Sequence, residues 1–177
     1  NTVWHNIVQA DSIIHDQNWR IDMKGQVVAV CLSHQTGERK TPVDRVELRE
    51  NHGIIGDAHA GDWHRQISLL AKESIDKMRA VGLDVNSGDF AENLTTVGIN
   101  LPQLPLGTRF GIGSCLLELT QIGKKCHNRC AIYHQAGDCV MPKEGVFAKV
   151  LCGGFISSGD PIEIIPADEK RPGPEVV

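Results

Sequence analysis

Short β-branched runs set off by glycine turns, with a single segment of firmly helical spacing, limit the folds open to this chain. Gln26-Val27-Val28-Ala29-Val30-Cys31-Leu32 follows Met23-Lys24-Gly25 and has the length and side-chain type of a first strand. Val43 to Leu48 predicts a second strand of unsettled register, after a polar loop over Ser33 to Pro42. Thr108 to Phe110 and Cys115 to Gln121 flank Gly111-Ile112-Gly113-Ser114, which predicts a hairpin, and Ser157-Ser158-Gly159-Asp160 predicts a tight turn before Pro161 to Ile165. The helical segment starts at Ala71, where Ala71, Ile75, Met78 and Val81 share a face, Glu73 stands four residues before Lys77, and Gly82 supplies the stop. A second helix is predicted from Pro142 through Val146, Phe147 and Val150 to Gly153-Gly154. Many short strands with few helices point to a mixed barrel or strongly bent sheet, not a parallel doubly wound one.

At 177 residues the chain is long enough to bury one substantial core. Residues 1–22 read as an N-terminal extension, 23–165 as the compact domain and 166–177 as a charged, proline-rich mobile tail. A net charge of −4 excludes a basic field over the whole surface, so nucleic acid is not an expected partner. No apolar run approaches the roughly 20 residues of a membrane helix, and the start Asn1-Thr2-Val3-Trp4-His5 lacks a cationic leader. The expectation is a cytoplasmic protein with no membrane partner.

With no export signal, the six cysteines read as reduced thiols, not a disulfide framework. Cys31 and Cys115 fall in apolar strands and are expected in the core. Cys126 differs, because Gly123-Lys124-Lys125-Cys126-His127-Asn128-Arg129-Cys130 surrounds it with Lys124, Lys125, His127 and Arg129. A free thiol is about 3% thiolate at pH 7, and cationic neighbours that lower its pKa by roughly two units make thiolate the main form. Cys126 is thus a candidate nucleophile or soft-metal ligand, although a solvated basic loop with packed cysteines explains the same residues. Zinc is a further alternative, since Cys126, Cys130, Cys139 and Cys152 run as C-x3-C-x8-C-x12-C, a spacing without the paired C-x2-C knuckles of structural zinc sites.

Two other segments carry polar groups suited to a site. Gly53 to Gln66 places Gly56, Asp57, His59, His64 and Arg65 in a glycine-rich loop that lets backbone amides approach a ligand. Ser87-Gly88-Asp89-Phe90-Ala91-Glu92-Asn93-Leu94-Thr95-Thr96 reads as a turn leading into a strand, with Glu92 and Asn93 at the junction.

The order of these segments resembles the MOSC family, named for the C-terminal domain of molybdenum cofactor sulfurases. The resemblance spans about residues 24–165 and rests on the Gly-Asp-x-His loop, Arg65-Gln66-Ile67-Ser68-Leu69-Leu70, Glu92-Asn93-Leu94-Thr95 and the later Cys126. It implies a mostly β fold with inserted helices, a barrel similar to that of the pyruvate kinase barrel domain. It also implies one key cysteine, at Cys126, that carries sulfur as a persulfide or ligates the molybdenum of a bound molybdopterin cofactor. By position Gly56, Asp57, His59, Arg65, Glu92 and Asn93 would line its cleft, together with Lys124, Lys125, His127 and Arg129. The implied partners are a sulfur donor or a protein that makes or accepts molybdenum cofactor. The alternatives are a molybdenum-dependent reductase of N-hydroxylated compounds and a non-catalytic zinc-binding or scaffold domain. Two departures stand out: Ile122-Gly123-Lys124-Lys125 precedes the cysteine where reductase-type relatives often have a proline, and Cys130 and Cys139 follow as possible resolving thiols. No pyridoxal phosphate domain is present, so sulfur would have to be delivered from outside.

Overall fold

A computed structural model describes residues 24–124 and 131–165. Its centre is a closed barrel of seven strands. In chain order these are β1 (Lys24–Leu32), β5 (Ile67–Ala71), β6 (Leu94–Val97), β7 (Arg109–Ile112), β8 (Cys115–Ile122), β9 (Val146–Cys152) and β11 (Pro161–Ile165), and the intervening numbers belong to the short strands β2 (Thr41–Val43), β3 (Arg45–Arg49), β4 (Gly53–Ile54) and β10 (Gly154–Ser157). Around the barrel the order is β1, β6, β5, β9, β8, β7, β11 and back to β1, antiparallel throughout except for the parallel pair β5 and β6. Closure leaves the seven strands no free edge among themselves. The expected barrel is therefore present, and its hairpin at Gly113-Ser114 pairs Ile112 with Cys115.

The interior is filled by residues such as Val30, Leu69, Leu94, Phe110, Leu117, Leu119 and Val150, all without appreciable exposure. A second apolar cluster lies outside the wall, where Leu70 and Phe147 meet Ile75 and Met78 of helix α1 (Lys72–Ala80). Strands β5 and β9 are buried on both faces over most of their length, which leaves their sequences apolar apart from Ser68 and Lys149 and without clean alternation.

That double burial explains the main departure from the sequence reading. The helix expected from Pro142 to Val150 is a single turn, α3 (Met141–Glu144), followed by strand β9. Val146, Ala148 and Val150 point into the barrel and Phe147 into the outer cluster, so the period is two where Val146, Phe147 and Val150 suggested a helix. Gly145 makes the change of direction in extended conformation (φ −68°, ψ 139°), and a Cβ there would lie 2.6 Å from the Met141 sulfur.

The expected strand over Val43 to Leu48 is likewise two strands, broken at Asp44. β2 extends the barrel sheet beside β1, whereas β3 joins β4 and β10 in a small separate sheet. Helix α1 forms close to the predicted bounds with Gly82 at φ +95°, but Val81 is 67% exposed and off the packed face. Nor do Glu73 and Lys77 pair with each other. Glu73 accepts from the Gly98 amide (3.0 Å) and Lys77 reaches Glu144 of α3 (2.8 Å), both tertiary ties, while Lys72 and Asp76 form the pair along the helix (2.6 Å). A further short helix, α2 (Ala131–Ala136), precedes α3. No helix among the described residues is long and apolar enough to cross a membrane. The extension and tail proposed at 1–22 and 166–177 lie outside the described residues.

Candidate functional site

At one side of the barrel, the loop between β4 and β5, the turn before β6 and the end of β8 enclose a cavity of about 160 Å³. His59, Trp63 and Arg65 come from the first of these, Ala91 and Asn93 from the second and Lys124 from the third, with Ser68, Met141 and Phe147 completing the wall. No aspartate or glutamate is among these lining residues.

Asp57 lies beneath the cavity, 6% exposed, as the centre of a polar network. Its Oδ1 accepts from the Ser33 amide (3.2 Å), the Asn93 side-chain amide (3.2 Å) and the ammonium of Lys40, and its Oδ2 accepts from the His59 backbone N–H (3.0 Å). Burial alone would raise the Asp57 pKa, but hydrogen bonds from His59 and Lys40 outweigh it and hold the carboxyl well below the usual carboxylate range. The His59 ring is held from below, its Nδ1 lying 3.4 Å from Lys40 Nζ and 3.6 Å from Asp57 Oδ2. Lys40 is 3% exposed. It belongs to the segment expected to be a plain polar loop, and nothing in its local sequence distinguishes it from a solvated lysine.

Asn93 uses every polar atom of its side chain. Oδ1 accepts from the Ser68 amide (3.1 Å) and hydroxyl (2.9 Å), while the side-chain nitrogen donates to Asp57 and to the Cys31 carbonyl (3.2 Å). Glu92, its neighbour, faces away from the cavity and has no exposure. Its carboxylate accepts from the Gly88 amide (2.6 Å), the Phe90 amide (3.2 Å) and the Thr95 hydroxyl (2.9 Å). Burial pushes its pKa up against those hydrogen bonds. Gly88 at φ +90° must be glycine, because a Cβ would collide with the Lys40 carbonyl.

Arg65 is held by aromatic rings, its guanidinium carbon 4.7 Å from the Trp63 ring centre and 5.7 Å from that of Phe147. Its Nε is buried without a hydrogen-bond partner, and no carboxylate pairs with Arg65 or Lys124 among the described residues. A buried guanidinium N–H left open, in a wall shared with an ammonium that no described carboxylate offsets, has the donors and the charge to accept an anion. His64 turns outward instead, its ring meeting Gln121 Oε1 at 2.9 Å.

His59, Arg65, Asn93 and Lys124 are thus brought together at the cavity, Asp57 supports His59 and Asn93, and Glu92 and Gly56 do not line it. Gly56 is a turn residue at φ +84° whose carbonyl meets His34. Cys126, Cys130, Lys125, His127 and Arg129 lie outside the described residues. Cys139 is buried in the outer cluster, and Cys31 and Cys115 are fully buried in strands. Among the described residues no group of three or more His, Cys, Asp or Glu side chains is placed to hold a metal. Trp63, Ser68, Met141 and Phe147 were not anticipated as wall residues, because only the barrel's closure brings them together.

The family profile of the MOSC domain matches residues 56–163. Among solved structures, the YuaD protein from Bacillus subtilis is 18% identical and superposes with a TM-score of 0.68 over 80% of this chain and 96% of its own. YiiM from Geobacillus stearothermophilus is 22% identical, with a TM-score of 0.60 over 80% and 75% of the two chains. YiiM from Escherichia coli is 20% identical, with a TM-score of 0.58 over 82% and 72%. These identities speak for a common fold. No curated protein matches the chain.

Proposed function

The chain belongs to the MOSC domain family, and on that footing we propose that it handles cysteine-bound sulfur at Cys126, beside a cationic cavity that receives an anionic ligand. The observation that carries this reading is the cavity itself, where among the described residues Arg65 Nε has no hydrogen-bond partner, Lys124 has no ion pair and no carboxylate lines the wall. Cys126 follows Lys124 by two residues, and two residues of chain reach at most about 7 Å. A thiol within reach of such cations is biased toward thiolate, the form that accepts and passes on sulfane sulfur.

The same donor set fits the anionic end of a molybdenum cofactor. Arg65 and Lys124 would hold its phosphate and the Cys126 thiolate would serve as a soft ligand to the metal. When bound, that group would supply two-electron redox chemistry. The chain's own contributions are positional and protonic: Trp63 and Phe147 hold Arg65 in place, and Asp57 with Lys40 fixes His59, which can exchange a proton with a ligand in the cavity.

Intact-mass measurement after incubation with a sulfur donor, alongside elemental analysis for molybdenum and zinc, tests the proposal. A +32 Da adduct that disappears in Cys126→Ala supports sulfur handling. Equimolar molybdenum, lost in the same variant, supports the cofactor reading and with it a reductase activity. Full sulfur loading and cofactor binding in Cys126→Ala refute both, and equimolar zinc without thiol reactivity favours a scaffold.

A further inference from the structure

The cavity wall at Ala91 is backbone held against its own preference. Ala91 has φ +62°, in the left-handed region where a Cβ crowds the following carbonyl. The other described non-glycine residue with positive φ is Asn51, of a type that tolerates it. The turn around Ala91 is fixed from several sides. The Ala91 amide donates to the Gly88 carbonyl (3.0 Å), its own carbonyl accepts from the Ser68 hydroxyl (3.2 Å), and the buried Glu92 carboxylate gathers the Gly88 and Phe90 amides. Glycine would adopt this conformation freely, yet the chain places a methyl group there, at a position lining the cavity with Trp63, Arg65 and Lys124. Overdetermined strain at a cavity wall is a mark of a functional constraint.

We propose that Ala91 is a specificity-determining residue: its side chain limits the cross-section of whatever accompanies an oxyanion at Arg65. The inference rests on the anionic-ligand reading of the cavity given above. The cavity's 160 Å³ has room for the anionic end of a ligand, not for the whole of a larger one, which needs roughly 300–1,000 Å³.

Inorganic phosphate and phenyl phosphate are the probes, titrated calorimetrically into the full chain and its Ala91→Gly and Ala91→Asn variants. The wild type is expected to bind phosphate and to disfavour the phenyl ester. Ala91→Gly should raise phenyl phosphate affinity relative to phosphate about tenfold, the effect of one methyl-sized obstruction, and raise Tm by about 2–4 °C as the strain is released. Ala91→Asn, which tolerates the left-handed region, should not lower Tm and should weaken both probes. An unchanged preference or a lower Tm in Ala91→Gly, or full phosphate binding in Ala91→Asn, overturns the inference. So does a wild type that binds no phosphate, and in that case a +32 Da adduct on Cys126 still leaves the sulfur-handling proposal standing.

Discussion

Replacing Lys40 by methionine removes the only cation among the described residues within ion-pair distance of Asp57, apart from the His59 ring at 3.6 Å, and leaves a carboxylate that is 6% exposed. Breaking a buried pair from one side costs about 3–5 kcal/mol, because the surviving charge keeps its desolvation penalty without its partner. Three neutral donors remain on Asp57, namely the Ser33 and His59 amides and the Asn93 side chain. The expected loss is therefore near the lower end, about 3 kcal/mol, or a Tm drop of about 6–12 °C for a domain of this size. Urea denaturation followed by circular dichroism measures it. The pH dependence tests the cause. In the wild type Asp57 has a depressed pKa, so its contribution is fully present above about pH 4–5 and fades as pH falls from the ordinary carboxylate range toward the depressed folded value. In Lys40→Met the stranded carboxylate protonates more readily, so the gap between variant and wild type should narrow below about pH 4. Lys40→Met combined with Asp57→Asn should lose less than the two single losses added together. A gap as wide at pH 3 as at pH 7, together with strict additivity, would refute the buried ion pair as the source of the stability.

Gly88→Ala should cost well over 1 kcal/mol in urea denaturation, since φ +90° and contact with the Lys40 carbonyl both oppose a Cβ. Burial, with Glu92 nearby, pushes the Cys31 thiol up to about 12; mass mapping after brief iodoacetamide treatment at pH 8 should find Cys31 unlabelled in the folded protein and labelled in urea. Its stabilising effect should hold below about pH 9, the ordinary thiol range, and decline as pH rises from there toward about 12. Asn93→Asp removes two donated hydrogen bonds and sets a second carboxylate beside Asp57, so a loss of about 2–4 kcal/mol is expected. That loss should shrink on acidification, and a loss that grows with acid would count against the like-charge explanation.

The barrel was legible in outline because strand length, β-branching and glycine turns are local signals, and β1 and the β7–β8 hairpin followed from them. β9 was not, because a strand buried on both faces loses its alternation and Val146, Phe147 and Val150 mimic a helical stripe by chance. In the site, the glycine loop and Asn93 were visible as polar groups beside turns. Glu92 stands next to Asn93 in sequence but points the other way, as alternate residues entering a strand must. Lys40 had no local signature, since its importance arises only where the loop after β1 folds under Asp57.

The barrel is closed by pairing its first strand with its last, Lys24 opposite Glu163 and Gln26 opposite Pro161. A ribosome must therefore release nearly the whole domain before the ring can shut, and until then β1 offers an open edge to other chains. Joining residues 24 and 165 by a short linker and opening the chain in an exposed loop would make that contact local, and should speed folding without altering the cavity.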